Sequence, residues 1–475
     1  MTFDDAMAPP TRALRSIVGV DHVLTDPDLR TGYETDWTGR FGGPASLIVR
    51  PDDADQVSQV LALCNDEGIT VIPQAGNTGL VGGGVPRAVN PGPTIVLSLR
   101  RLDTIVDIDH NALQLTAGAG VTIAGWRSAA RTIGLDTPID FAARDSATIG
   151  GAVATNAGGS RVLRYGTMRQ QVVGIEAVLA DGSVVGSLAG LPKETAGLHW
   201  PSVLTGSEGT LAVVTAARLR LVPRFEHVVT AMVAVATIDD AVALAGGLRH
   251  RMSTLDALEI IQPAALDLVA AHLGAQPPVP TAGAASFVII ECAGHVDPTA
   301  DLADVLAAST GILATAVARE PPRRNEILAF RDRITEAIST AAATTGTTAF
   351  KLDVAVPLDA IGELLDVAER AADEDGARLI PFGHLAEGNL HLNHLGVRNP
   401  DALAEVVLTA VAELGGTISA EHGIGVAKTR WLHLIRSPAD LAAQRAIKHA
   451  LDPRGILNPG VLDATGAAPP GLQVP

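Results

Sequence analysis

The segment PFGHLAEGNLHLNH, Pro381 to His394, places three of the chain's thirteen histidines within eleven positions, around a glycine-bearing turn. Residues two apart on a strand face the same way, so His391 and Asn393 share a face. His384 stands just before the turn at Glu387 and Gly388 and reaches back across it toward that face. Downstream, TISAEHGIG sets Glu421 and His422 ahead of glycines that bring backbone close. Two imidazoles and a carboxylate make a ligand set for a divalent transition metal such as Zn, Mn or Fe. The plainer alternative is a polar loop in which the histidines are only hydrogen-bonded.

Cations for an anionic ligand lie nearby. In FRDRITEA, Arg331 and Thr335 are four apart, which on one helix gives them a common face. Arg331 suits a bidentate carboxylate contact, and Lys351 in AFKLDVAV adds a point charge in an otherwise apolar strand. A surface arginine paired with Asp332 or Glu336 is the alternative. For Lys351, burial without a partner would be costly.

Three glycine-rich segments precede these residues. GNTGLVGGG (Gly76 to Gly84) carries five glycines in nine positions, TIGGAVATNAGG begins at Thr148, and TGSEGT begins at Thr205. Glycine lets backbone N–H groups approach a phosphate without an intervening Cβ. None is a GxGxxG opening a helix, and no GK[ST] follows, so neither a Rossmann fingerprint nor a P-loop is present. Three polar-tipped loops on separate strands suit one long diphosphate ligand laid across a crevice; three ordinary turns are the alternative.

The elements that must carry these residues follow from the hydrophobic pattern. DADQVSQVLALCND (53–66) reads as a helix with Val57, Val60, Leu61 and Cys64 on one face, and GITVIPQ reads as a buried strand. Alternating strand and helix signals to about Pro223 imply an α/β architecture, and α+β patterns follow from residue 224. Pro277, Pro278, Pro280, Pro321 and Pro322 read as loops inside that second region. The expected division is a helical segment over 1–40, a first domain over 41–223, a second over 224–430, a returning C-terminal segment over 431–463 and a flexible tail over 464–475.

Composition bounds the function. The chain has 475 residues, 47% hydrophobic, 3% aromatic, with a net charge of −17, which disfavours nucleic acid as a partner. Two distant cysteines outside any CxxC fit a reducing cytoplasm. No apolar h-region opens the chain and no run long enough for a membrane span appears. A homodimer is left open.

The quoted loops, PQAGNTGLVGG, DSATIGGAVATNAGG with RYG after it, and LTGSEGTLAVVT, resemble the flavin-binding loops of the vanillyl-alcohol-oxidase-type FAD family. GHLAEGNLHLN, ISAEHGIGVAK and LDPRGILNPG resemble its D-2-hydroxyacid dehydrogenase branch, and the likeness runs over residues 40 to 463. The resemblance implies a two-subdomain FAD-binding domain, an α+β substrate and metal domain, and a last helix returning to the first. It implies FAD contacts from Gln74, Gly76, Asn77, Thr78, Gly79, Gly82, Gly83, Thr148, Gly150, Gly151, Thr155, Asn156, Gly158, Gly206, Glu208, Gly209 and Asn458. No His or Cys lies in 73–86, so non-covalent FAD is expected. It also implies His384, His391 and Glu421 as metal ligands, His422 as general base, and Arg331, Thr335, Lys351 and Asn393 as substrate contacts. The branch's Gly-Asp-Gly-Asn is Ala386-Glu387-Gly388-Asn389 here.

Oxidation of a 2-hydroxyacid takes a hydride and a proton from one alcohol carbon and its oxygen. A histidine with a pKa near 6.5 suits the proton, and a Lewis-acidic metal lowers the alcohol's pKa. Two cations suit a dicarboxylate, so D-2-hydroxyglutarate is the expected substrate, ahead of D-lactate or glycolate. Electrons must leave to an external acceptor such as an electron-transfer flavoprotein or a quinone-linked partner. The rivals of another class are a non-redox flavin-dependent transferase and a non-catalytic flavin subunit.

Overall fold

The fold comes from a computed structural model that describes residues 3–88 and 92–462, without the side chains of 3–6. The tail expected over 464–475 lies outside the described residues. The chain divides into two compact units: Met1–Gly158, Gly166–Arg224 and Glu421–Pro475 form the first, Gly159–Tyr165 and Phe225–Ala420 the second.

In chain order the first unit holds β1 (Val23–Leu24), β2 (Leu47–Val49), β3 (Thr70–Gln74), β4 (Thr94–Ser98), β5 (Ile105–Asp109), β6 (Gln114–Gly118), β7 (Leu135–Asp136), β8 (Val172–Val178), β9 (Val184–Ser187), β10 (Val213–Arg220) and β11 (Val222–Pro223). One sheet runs β1-β2-β4-β3, with β2, β4 and β3 parallel; a second runs β5-β6-β10-β8-β9 and is antiparallel; β7 pairs with β11. Parallel strands are covered on both faces, which is why β4 is buried at all five positions. The helix Ala54–Glu67 starts on the Asp53 carboxylate, which accepts from Gln56 N, and stops at Gly68 with φ 67°. It buries Val57, Val60, Leu61 and Cys64, as the spacing requires. These pack with Val71, Ile95 and Leu97 of the first sheet and Val178 and Val213 of the second.

The second unit is one seven-stranded antiparallel sheet, ordered β15-β12-β14-β13-β17-β18-β16. Its strands are β12 (His227–Val235), β13 (Leu255–Ile261), β14 (Ser286–Gly294), β15 (Ile312–Ala318), β16 (Phe350–Ala355), β17 (Arg378–His384) and β18 (Asn389–Leu395). Leu266, Phe330, Ile334 and Ile338, from helices Pro263–Leu273, Pro321–Asp332 and Ile334–Thr344, pack with Ile261, Ile380 and Phe382 of the sheet.

Two local expectations are corrected. Pro321 and Pro322 open a helix rather than occupying a loop, because proline at the first helical turn has no hydrogen bond to lose. Arg331 and Thr335 do not share a helix: Arg333, at φ −95° and ψ 2°, ends one helix and precedes the next.

His394, facing away from His391 on β18, is fully buried. Burial drives its imidazole down to about 4. The unfolded chain binds this proton near pH 6.5 and the folded chain does not, so stability is present above that pH and is lost as pH falls toward 4. His394→Leu is expected to lessen the drop in thermal midpoint between pH 7 and pH 5; an unchanged drop would remove His394 as its source.

Candidate functional site

In the first unit the glycine loops meet where side chains have no room. A Cβ on Gly76 would lie 2.3 Å from the Ser146 carbonyl, and one on Gly150 2.6 Å from the Ala119 methyl. Among described non-glycine residues with positive φ are Asn77, Asn156, Glu208 and Asn458, at 53°, 52°, 50° and 41°. All four lie in the loops expected to hold FAD, and strained backbone gathers at ligand sites. Thr148 caps the helix Ile149–Thr155 by accepting from Gly151 N, and Asn156 closes it. Gln74 donates to the Tyr33 and Gly84 carbonyls and so fixes both ends of the first loop. Thr155 donates to Gly151 O, Gly158 is buried, and Gly206 and Gly209 carry positive φ.

Asn458 ties the loops together. Its amide nitrogen donates to Gly83 O and Glu208 O, both at 2.8 Å, and its oxygen accepts from Arg87 at 3.3 Å. Leu457 pairs in parallel with Val71, placing Asn458 beside β3. Glu208 accepts from Ile424 N at 2.9 Å and Gly425 N at 2.8 Å, which anchors the HGIG turn to the TGSEG loop. Burial pushes this carboxyl up to about 7, against the opposing pull of those two amides and Lys428. A Cβ on Gly425 would sit 2.2 Å from the Val81 carbonyl, so this turn needs glycine.

In the second unit the sheet register gathers the ionisable side chains. His384 lies opposite Glu259 on β13 and Asn389 on β18; His391 lies opposite Phe382 on β17 and Asp353 on β16; Asn393 lies opposite Lys351. Period two then puts Lys351, Asp353, His391, Asn393, His384 and Glu259 on one face. The His384 and His391 rings stand edge to face with centroids 5.4 Å apart. Each imidazole meets a buried carboxylate at Nδ1: Glu259 at 2.7 Å for His384 and Asp353 at 3.3 Å for His391. Asp353 is 0% exposed and also accepts from Asn389 Nδ2 at 2.9 Å and Ala420 N at 3.1 Å.

Gly388 makes the turn between the two histidine strands. Its φ is 66° and a Cβ would lie 1.9 Å from the Val356 carbonyl, so no other residue fits. Residues Leu385–Glu387 form a single 3₁₀ turn, with Ala386 O accepting from Arg249. Thr417 pairs with Ala355, and this brings Ala420 to Asp353. Glu421 and His422 are the next two residues of the chain and are half-buried.

Arg331 enters from the helix Pro321–Asp332. Its Nε donates to Glu259 Oε2 at 2.5 Å and its guanidinium stacks 4.8 Å from the Phe382 ring centroid. The side chain is 14% exposed, and among the described residues no protein acceptor meets its η nitrogens. Burial alone would raise Glu259, but His384 and Arg331 hold its carboxyl below the usual value. Lys351 is half-buried on β16, Asn393 donates to the Ile380 and His391 carbonyls, and Thr335 lies on the separate helix Ile334–Thr344.

Sequence reasoning passed over Glu259 and Asp353. Asp353 was findable, since it follows Lys351 by two in an apolar strand where a buried carboxylate needs partners. Glu259 stands in LDALEII, 125 positions from His384, and only the strand register joins them.

Two family models match the chain: the FAD binding domain over residues 45–187 and the C-terminal domain of FAD linked oxidases over 224–462. The chain is 32% identical over 451 residues to the mitochondrial D-2-hydroxyglutarate dehydrogenase of Danio rerio, covering 92% of this chain and 82% of that protein. It is 32% identical over 483 residues to the D-2-hydroxyglutarate dehydrogenase of Xanthomonas citri pv. viticola, covering 98% and 99%. Among solved structures, p-cresol methylhydroxylase with substrate bound superposes with a TM-score of 0.77 at 18% identity, covering 98% of each chain, a likeness of fold. The loops that carry the strained asparagines, the sheet that carries the histidines and these relatives agree: the chain belongs to the FAD-linked oxidase family, in the D-2-hydroxyacid dehydrogenase branch of the vanillyl-alcohol-oxidase-type flavoproteins.

Proposed function

We propose that this chain oxidises a D-2-hydroxyacid dicarboxylate, D-2-hydroxyglutarate first, with non-covalent FAD and a divalent metal, and passes the electrons to an external acceptor. The observation that carries the reading is Arg331: a largely buried guanidinium, fixed at Nε, with its η nitrogens left for an anion beside two carboxylate-backed imidazoles. The names of the two relatives favour the diacid.

The residues fit the groups they would hold. Gly76 and Gly150 let the loops pack closely on Ser146 and Ala119, while a Cβ at Gly79 or Gly84 would meet nothing within 4 Å, which leaves loop backbone open to a dinucleotide. With Nδ1 of His384 hydrogen-bonded to Glu259, that ring would offer Nε2 to a metal, an arrangement that fixes tautomer and raises ligand basicity, and His391, with Asp353 3.3 Å from its Nδ1, would stand beside it. Glu421, directly after Ala420, would complete the set. Mixed nitrogen and oxygen donors suit Zn, Mn or Fe. Bound FAD supplies the two-electron acceptor and the metal supplies Lewis acidity toward the substrate hydroxyl. His422 would take the hydroxyl proton, Arg331 would orient one carboxylate, and Asn393 and Lys351 would meet the rest of the acid.

The test is anaerobic bleaching of the flavin absorbance by D-2-hydroxyglutarate, D-malate, D-lactate and glycolate, with the L enantiomers beside them where they exist. Bleaching by the D-diacids first is expected. A yellow protein bleached by none of them would discard the hydroxyacid reading. Lys351→Met is expected to slow bleaching by the diacids at least tenfold more than by D-lactate; equal losses would remove the second-carboxylate argument and favour D-lactate or glycolate.

A further inference from the structure

One side chain stands behind both the imidazole and the guanidinium of the proposed site. Glu259 is 3% exposed, and its two oxygens serve different partners, Oε1 for His384 Nδ1 and Oε2 for Arg331 Nε. The first contact fixes which imidazole nitrogen faces away from the carboxylate. The second, with the Phe382 ring against the guanidinium plane, fixes where the η nitrogens point. Movement of this carboxylate would take a hydrogen bond from His384 and from Arg331 together.

We infer that Glu259 is a positioning residue that couples retention of the metal to binding of the substrate's carboxylate. The metal half stands on the His384 contact alone; the substrate half rests on the hydroxyacid reading above. The argument against a merely structural role is the division of oxygens. A carboxylate needed only for packing would be served by either partner, whereas one that orients both must hold both donors at once. Glutamine keeps the shape but replaces one accepting oxygen with an NH₂, which would face a donor on whichever side it lay.

The experiment uses the full-length, FAD-loaded protein and Glu259→Gln. Zinc is removed with a chelator, and zinc affinity is then measured by chelator competition; the KM for D-2-hydroxyglutarate and kcat are measured on zinc-reloaded enzyme. A loss of about ten- to a hundredfold in zinc affinity, the range for outer partners of metal-bound histidines, is expected. A KM raised at least tenfold at saturating zinc, with flavin content unchanged, is expected beside it. Unchanged zinc affinity, or a KM within threefold of the parent, overturns the coupling. If Glu259→Gln does not retain flavin, Glu259→Asp takes its place, since a charge shortened by one methylene cannot reach both partners. It must weaken both zinc affinity and substrate affinity at least fivefold, and a variant that keeps either one overturns the coupling. Should the parent enzyme not be bleached by any D-2-hydroxyacid, the substrate reading falls, while the zinc measurement still decides the role of Glu259 at His384.

Discussion

Arg331→Met is expected to raise the KM for a D-2-hydroxyacid by roughly two orders of magnitude or more, with the flavin spectrum unchanged. A charged, bidentate contact contributes about 1.5–3 kcal/mol per hydrogen bond, and each 1.4 kcal/mol is about tenfold. The guanidinium is well placed for that contact: it is 14% exposed, held at Nε by Glu259 and laid on Phe382. Methionine keeps apolar contact with Phe382 but presents no donors. The loss should fall on KM more than on kcat if Arg331 holds a carboxylate equally in the ground and transition states. A KM within threefold of the parent would leave Arg331 as a counter-ion for Glu259 and nothing more. Measuring zinc content of the variant separates this effect from any disturbance passed through Glu259 to His384.

Asn458→Leu is expected to give a largely colourless protein. Four contacts converge on this residue: Gly83 O, Glu208 O, Arg87, and the backbone bond from Asn458 N to Val71 O at 2.9 Å. Leucine has the size but accepts and donates nothing, so two carbonyls inside the unit lose their donor, at about 1–3 kcal/mol each. The residue also sits at φ 41°, a conformation that asparagine adopts more readily than leucine. Flavin content per protein, read as the ratio of visible to ultraviolet absorbance, is the measurement. Full occupancy in the variant would mean that the loops hold their shape without this latch.

Much of the fold was legible because its signals are local. The helix at 54–67, the buried strand β3 and the strand carrying His391 and Asn393 follow from spacing within a few residues. The three glycine loops were legible as a set because glycine and polar tips recur at strand ends. What was not legible depended on pairings across the chain. Glu259 meets His384 only through strand register, and Asp353 meets Ala420 only because Thr417 pairs with Ala355. The break at Arg333 was also hidden, since FRDRITEA has helical composition throughout and neither Gly nor Pro to mark the interruption.

The latch at Asn458 has a consequence for the order in which the protein comes into being. Asn458 and Gly83 are 375 positions apart, and Asn458 and Glu208 are 250 apart. Leu457 lies alongside Val71 in the same arrangement. On the ribosome, the first and third glycine loops emerge long before the residue that joins them. At about 5–20 residues per second, they wait on the order of tens of seconds for it. During that interval the loops have no Asn458 to bridge them, and the Val71 carbonyl lacks its donor. Closure of these loops therefore waits on the segment that carries Asn458, however early the loops themselves are made.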